Sequence, residues 1–265
     1  MGPQNDQKQP PRESEPPERA NRVGEWLFHN CYGLYRPTYH LYKRYADRFG
    51  LKLIQGAIGK GSVVLDVGAN IGVSSVLFSD TVGPRGSVHA FEPDALNFQR
   101  LRRWTQKREN IRVYPLAVSD RSGPLRLYKS ASLNVDHRTY DDGSGREAVE
   151  IEAVAIDDLF GKRSVDLIKM DIQGFECRAL AGMRETLGNN PDAVLYIECW
   201  PYGLKKAGVS GEELLNLISV LGFQPKVIDP RHRRLSDIRF TRSEWERRET
   251  QPSVYFDLWC RRHIP

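Results

Sequence analysis

Residues 63–72 read Val-Val-Leu-Asp-Val-Gly-Ala-Asn-Ile-Gly, a β-branched run that enters a glycine turn and then, from Val73, a helix-forming stretch. A strand–turn–helix junction of this kind turns the first backbone N–H groups of the helix toward a ligand. A dinucleotide turn has the spacing GxGxxG. Here Asn70 stands at the middle glycine and Val73 at the third, the one needed for close helix packing. The spacing DxGxNxG therefore argues against a bound pyrophosphate. An acid two residues before the first glycine suits a ligand with both an ammonium and a carboxylate: Asp66 attracts the amino group, and the helix start receives the carboxylate. S-adenosylmethionine is such a ligand.

Further acids stand where nucleotide-binding sheets use them. Glu92 ends the next strand in Ala-Phe-Glu-Pro, twenty residues after Gly72, at the distance where a carboxylate accepts two ribose hydroxyls. Its alternative role is to favour the dipole of the following helix. Asp171 and Glu198 come at the carboxyl ends of the fourth and fifth strands, where open α/β sheets bind their ligands. Both are expected to border the reacting group, as general base or as orienter of an acceptor hydroxyl. The competing assignments are that Asp171 caps the next helix and that Glu198 is satisfied by Lys169 or an arginine.

These acids need a particular set of elements to position them. Strands are expected at 63–67, 87–91, 111–114, 165–170 and 193–197, with closing strands at 223–228 and 254–259. Asp94 caps one intervening helix, Ser210 with Glu213 forms a capping box on another, and a helix after Gly174 carries Cys177, Leu180, Ala181 and Leu187. Strand–helix alternation predicts an α/β, doubly wound, mostly parallel sheet with helices on both faces. Alternating stretches at 125–128 and 149–156 around a polar loop predict an inserted β excursion. The domain organisation expected is a disordered leader at 1–22, a helical segment at 23–60 and the α/β domain at 61–265. The leader holds five prolines and almost no apolar side chains, too little to offset the entropy of ordering. In the helical segment Tyr35, Tyr39, Tyr42, Tyr45 and Phe49 recur at helical spacing, as core packing or as a lid, with Pro37 starting or breaking a turn.

Together, DVGANIG, AFEP, AVSD, the Asp157-Asp158 strand end and DLIKMDIQGFE resemble the FkbM-type S-adenosylmethionine-dependent methyltransferases, over roughly residues 63–200. The resemblance implies a class I methyltransferase (Rossmann-like) fold of seven strands, the last antiparallel, and methylation mainly of oxygen. It implies that Asp66, Gly68, Asn70 and Gly72 line the methionine part of the cofactor, Glu92 the ribose, and Ala117, Val118 and Ser119 the adenine edge. The family form KxDxEG reads here Lys169-Met170-Asp171-Ile172-Gln173-Gly174, so Gln173 replaces an acid. Residues 134–138 resemble the family's Asn-x-Asp-His-Arg block. On that pattern His137 is a proton acceptor for a hydroxyl, with Asp136 or another carboxylate to orient it. Asn134 and Arg138 join Asp136 at the acceptor, Arg138 as a bidentate partner for an acidic group.

Composition narrows the rest. With 265 residues, 40% apolar and 28% charged, the chain suits a globular protein. Four scattered cysteines make neither a disulfide framework nor a zinc site, and no metal is expected. No stretch is long and apolar enough to span a bilayer, Met1-Gly2 departs from the myristoylation pattern at Pro3 and Asp6, and no signal peptide is apparent; the expected address is cytoplasmic. Residues 226–265 carry ten Lys/Arg against six Asp/Glu. That basic end suits phosphate or an acidic substrate, or is simply a solvated face. The reading is an S-adenosylmethionine-dependent O-methyltransferase with a small-molecule acceptor, sugar-like or acidic, and no nucleic-acid partner or stable membrane association. The alternatives are a nucleic-acid methyltransferase that uses the basic end, although an NPPY-type strand end is lacking, and a cofactor-binding module without turnover, marked by Gln173.

Overall fold

A computed structural model describes residues 23–24, 26–28, 30–46, 48–130 and 136–262. The expected leader at 1–22 and Asn134 lie outside the described residues. The chain enters through helices α1 (Tyr32–Ala46) and α2 (Arg48–Ala57) and then alternates: β1 (Val63–Val67), α3 (Val73–Val82), β2 (Ser87–Phe91), α4 (Ala95–Thr105), β3 (Ile111–Tyr114). A second sheet follows from β4 (Ala117–Val118), β5 (Gly123–Tyr128) and β6 (Ala148–Val154). After the short α5 (Ile156–Leu159) come β7 (Leu167–Met170), α6 (Glu176–Ala181), α7 (Arg184–Asn189) and β8 (Val194–Cys199). The chain closes with α8 (Pro201–Lys206), α9 (Gly211–Val220), β9 (Phe223–Asp229), β10 (Arg234–Asp237), α10 (Arg242–Arg248) and β11 (Phe256–Arg262).

The main sheet has the order β3-β2-β1-β7-β8-β11-β9-β10. Neighbours from β3 to β8 run parallel, and β11 lies antiparallel between β8 and β9. The last strand is thus antiparallel as expected, but the sheet has eight strands and not seven, because β10 folds back on β9 at the edge. The chain leaves β1 toward β2 and β3, then returns to place β7 on its other flank. That reversal opens a crevice above the carboxyl ends of β1 and β7, the place where such sheets bind ligands.

Two-residue periodicity sends the strand side chains to opposite faces. Leu65 and Val67 of β1 join Ile168, Met170, Leu195 and Ile197 in a core covered by Leu180, Leu187, Leu214 and Ile218. Val64 faces the other side, with Leu167, Val194 and Tyr196 under Ile54 of α2 and Phe78 and Val82 of α3. Gly50 makes room in α2 for Tyr196, whose hydroxyl lies 2.7 Å from where a Cβ at residue 50 would sit.

Local structure departs from expectation where tertiary contacts dominate. Pro37 lies inside α1. The ring removes one helical N–H, and the Thr38 hydroxyl, donating to the carbonyls of Leu34 and Tyr35, supports the ladder beside the gap. The single helix expected after Gly174 is two, α6 and α7, broken around Gly182, where a Cβ would meet the Ser119 carbonyl at 2.0 Å. The stretch expected at 149–156 ends as a strand at Val154, α5 starts at Ile156, and Asp157 within it accepts the Glu185 and Thr186 amides at the start of α7. The caps at Asp94 and Ser210 form as expected.

Helix α1 packs through Tyr35 with Phe28 against Ile71 and Val73 at the glycine turn. Tyr35 and Tyr39 stack at 5.2 Å, and the Arg100 guanidinium sits 3.6 Å from the Phe28 ring while donating to the Phe28 carbonyl. Tyr35, Tyr39 and Tyr42 also line the crevice, so the aromatic stripe is at once packing and wall. No described helix is long and apolar enough to cross a membrane. Several bases of the C-terminal region are paired: Lys226 and Arg239 with Asp237, Arg234 with Asp229, and Arg242 with Glu246.

Candidate functional site

The glycine turn is built by backbone demands. Gly68 has φ +79°, and a Cβ there would lie 2.0 Å from the Asp171 carbonyl oxygen, so the ends of β1 and β7 touch backbone to backbone. Asn70 holds a left-handed φ of 51°, which its short amide tolerates; its Oδ1 accepts the Ile71 amide at 2.7 Å. Gly72, at φ +92°, is where Leu101 of α4 comes close, with a would-be Cβ contact of 2.6 Å. Close packing of helix against turn is thus obtained at Gly72, not at the Val73 position a dinucleotide turn would use.

A cavity of about 700 Å³ occupies the crevice, within the roughly 300–1,000 Å³ range of small-molecule sites. Gly68, Asn70, Glu92, Ala117, Val118, Asp136, His137, Arg138, Asp171 and Glu198 all reach its wall. Three of the expected residues, Gly72, Asp66 and Ser119, do not. Gly72 packs behind the turn, and Asp66 is fully buried beneath it. Its Oδ2 accepts the Ser75 hydroxyl at 2.5 Å, and its Oδ1 faces Lys169 Nζ at 3.8 Å. Burial raises the Asp66 pKa, against the pull of Lys169 and Ser75.

Glu92 is held by the turn. Its two oxygens accept the Asn70 amide at 2.8 Å and the Asp94 amide at 2.9 Å, leaving further lone pairs for other donors. Ala117 and Val118, buried in β4, continue the wall beside Leu116 as an apolar surface. Ser119 is buried as well and donates its hydroxyl to Asp120.

Burial lifts the Glu92 carboxyl to about 7, and it does the same to Glu176, which sits below the Asp171–Gly174 turn. A carboxyl raised above its unfolded value favours the fold while protonated, and that stability is lost as pH rises through the folded pKa. From 4.5 to about 7, at ~1.4 kcal/mol per pH unit, each group places on the order of 3–4 kcal/mol at stake. Burial lowers the His89 pKa to about 4, which works in the opposite sense below pH 6.5, so the Glu92 contribution is read as a difference: between pH 5 and 8 the thermal midpoint of the parent, without ligand, is expected to fall relative to that of Glu92→Gln. A parent-minus-variant difference that stays flat over this window would contradict the raised pKa that burial gives the Glu92 carboxyl.

Lys169 joins the two strand ends. Its ammonium lies 3.4 Å from the Gly68 carbonyl and 3.4 Å from Asp171 Oδ2, besides its approach to Asp66. Asp171 Oδ1 accepts the Gln173 amide at 3.0 Å. The N-cap of α6 is Phe175, so Asp171 is not the cap of that helix. On the next strand Tyr196 and Glu198 share a face, and Asp257 of β11 lies directly opposite Glu198. The Tyr196 hydroxyl donates to Asp257 at 2.6 Å, and all three line the cavity. Sequence reasoning did not select Lys169, Tyr196 or Asp257 for the site. Alternation along β8 groups Tyr196 with Glu198; nothing local announces Asp257.

The loop after β5 is braced by ions. Arg138 is buried, pairs with Asp136 at 2.9 Å and with Asp142, and its guanidinium lies 4.9 Å from the Trp200 ring. Arg146 pairs with Asp136 as well. The carboxylates that Arg138 would exchange for an acidic acceptor are thus its own neighbours. His137 Nδ1 accepts the Ser130 amide at 3.1 Å, which puts the ring proton on Nε2, 3.8 Å from Asp94. Burial keeps its pKa below the usual histidine value, although Asp94 pulls upward. Asp94, not Asp136, is the carboxylate that faces this ring nitrogen.

The FkbM methyltransferase domain profile matches residues 66–225, more than half of the chain. The chain belongs to the FkbM methyltransferase family. Among curated FkbM relatives, the 2-O-methyltransferase NoeI of Sinorhizobium fredii is 31% identical over 144 residues, 47% of this chain and 58% of its own length. The 31-O-demethyl-FK506 methyltransferase FkbM of Streptomyces tacrolimicus is 31% identical over 158 residues, 47% of this chain and 60% of its own. The match thus spans about three-fifths of each relative. The crystal structure of methyltransferase FkbM from Methylobacillus flagellatus KT superposes with a TM-score of 0.48 at 20% identity, over 77% of this chain and 44% of the other.

The cofactor of this family is S-adenosylmethionine, and the cavity residues suit it. The backbone approach at Gly68 leaves no room for a side chain, Glu92 has lone pairs beside the turn, and Ala117 with Val118 offers the apolar strip a purine ring needs.

Proposed function

We propose that the chain is an S-adenosylmethionine-dependent O-methyltransferase acting on a hydroxyl of a small, sugar-like acceptor. One observation carries the reading: Glu198 and Asp171, from adjacent strand ends, line the same cavity as Gly68, Asn70 and Glu92. Carboxylates thereby stand at the reacting end of a site whose other end suits an adenosyl group. Both curated relatives are named as O-methyltransferases, which supports an oxygen acceptor. Pairing of Arg138 with Asp136 and Asp142 favours a neutral acceptor over an acidic one.

The sulfonium of the cofactor supplies an already activated methyl group. The chain's own contribution is then to align the acceptor and take up its proton. Glu198 is assigned as proton acceptor. Asp171, held between Lys169 and Gln173, orients the acceptor hydroxyl. Asp66, sealed under the turn, acts through Lys169, which holds the Gly68 carbonyl in place. Glu92 serves the ribose hydroxyls, and Ala117 and Val118 the adenine. His137, with its lone pair on the Ser130 amide, is a wall residue in this arrangement and a weaker candidate for the base than either carboxylate.

The test is incubation with methyl-labelled S-adenosylmethionine and a panel of sugars, amines and carboxylic acids. Label on hydroxyl oxygen supports the reading. Label confined to nitrogen or carboxylate products overturns the acceptor assignment.

A further inference from the structure

We infer that Gln173 is a positioning residue that fixes the Asp171 carboxylate through an uncharged donor, so that Asp171 keeps one orientation across the neutral pH range. The inference rests on the reading of the cavity as the methyl-transfer site and extends it to a residue that departs from the family's KxDxEG form.

Three observations meet at this side chain. Its amide nitrogen donates to Asp171 Oδ1 at 3.0 Å, while Lys169 approaches the other oxygen at 3.4 Å, so each carboxylate oxygen has a partner that never becomes an acceptor. The Gln173 backbone occupies the left-handed region at φ 56°, uncommon for a residue other than Gly, Asn or Asp. Strain of this kind persists where neighbours over-determine it, and it gathers at functional sites. Here the neighbours are visible. The Tyr140 hydroxyl donates to the Gln173 carbonyl at 2.8 Å. Glu176 Oε1 accepts the Ile172 and Gly174 amides at 3.3 and 3.2 Å. Gly174 follows at φ +100°, where a Cβ would strike Gly203 at 2.5 Å. The turn is clamped from three elements, and the side chain it aims at Asp171 is an amide.

An acid at this position would set two carboxylates about 3 Å apart, and such a pair ionises fully only at the expense of one raised pKa. Below that pKa a shared proton would replace the amide hydrogen bond; above it the two would repel, and Asp171 would be pressed toward Lys169. Among the described residues, the charged or titratable groups around Asp171 include Lys169 on its own strand, Asp66 from β1 behind Lys169, Glu176 from α6 under the turn, Glu198 across the cavity wall from β8, and Tyr140 from the braced loop. Of the groups named here Lys169 carries the positive charge, and it also holds the Gly68 carbonyl. Displacing Asp171 therefore disturbs the cofactor turn.

The experiment measures affinity for S-adenosylhomocysteine by calorimetry at pH 5.5, 7 and 8.5 for the parent, Gln173→Glu and Gln173→Asn, with thermal unfolding of each sample as a folding control. For Gln173→Glu, affinity close to the parent at pH 5.5 and about tenfold weaker at pH 8.5 is expected, as the pair loses its shared proton. Asparagine accepts positive φ at least as well as glutamine, so Gln173→Asn folds; its shorter amide falls short of Asp171, and its loss of affinity is expected to be the same at all three pH values. A Gln173→Glu deficit that does not change with pH, or no deficit in either variant, overturns the inference while leaving the cofactor site standing. Failure of the parent to bind at any pH overturns the cofactor reading itself, and the inference with it.

Discussion

Glu198→Gln is expected to lower turnover a hundredfold or more while leaving affinity for S-adenosylhomocysteine within about threefold, the pattern of a lost general base. The glutamine keeps the size and hydrogen-bonding reach of the side chain on β8 but cannot take a proton. Asp171→Asn should reduce turnover by a smaller factor, roughly tenfold, because an amide still orients a hydroxyl although it no longer attracts Lys169. The ranking is informative because both residues line one cavity and only their roles differ. His137→Ala gives the opposite diagnosis: if it abolishes turnover and Glu198→Gln does not, the proton acceptor is the imidazole. That would require the ring to release the Ser130 amide during the reaction. Single-turnover methyl transfer beside calorimetry separates the two outcomes.

Gly68→Ala is expected to cost roughly 4 kcal/mol or more of stability and to abolish cofactor binding, because two penalties coincide at one Cβ. The residue lies at φ +79°, and the added carbon would sit 2.0 Å from the Asp171 carbonyl oxygen and 3.1 Å from the Ile172 side chain. Relief requires the ends of β1 and β7 to separate, and with them the two halves of the site. Gly61→Ala is the matched control. It also has positive φ, +97°, but nothing lies within 4 Å of its added carbon. Its cost should stay near the ~1 kcal/mol of backbone strain, with binding intact. Chemical denaturation of the two variants reads the difference. Equal losses would mean that the close approach of the strands at Gly68 is not what holds the turn.

Much of this site is written in short stretches of sequence, because its parts are local motifs. The β1 turn, Glu92 at a strand end, the Asp94 cap and the Ser210–Glu213 capping box each depend on residues a few positions apart. What is not legible joins distant positions. Lys169 reaches the Gly68 carbonyl across 101 residues, and Tyr196 reaches Asp257 across 61. Asp66 illustrates how burial enters. Its type and spacing suit a ligand's ammonium, yet the same alternation that sends Leu65 and Val67 to one core sends Asp66 toward Ser75 on the opposite face, under the turn. Arg138 was read as a partner for an acidic acceptor, and its pairing with Asp136 and Asp142 within its own loop was not foreseen. Pro37 was misread, and β10 not foreseen, for the reason that limits all propensity arguments: packing against neighbours outweighs a single residue's preference.

The most direct test of the central claim is calorimetric titration of the folded protein with S-adenosylmethionine, S-adenosylhomocysteine and NAD, repeated with Glu92→Ala. Saturable one-to-one binding of the two adenosyl ligands, none of NAD, and a clear loss of affinity in the variant are expected. Binding of NAD, or adenosyl binding that is indifferent to Glu92, would contradict the assignment of this cavity.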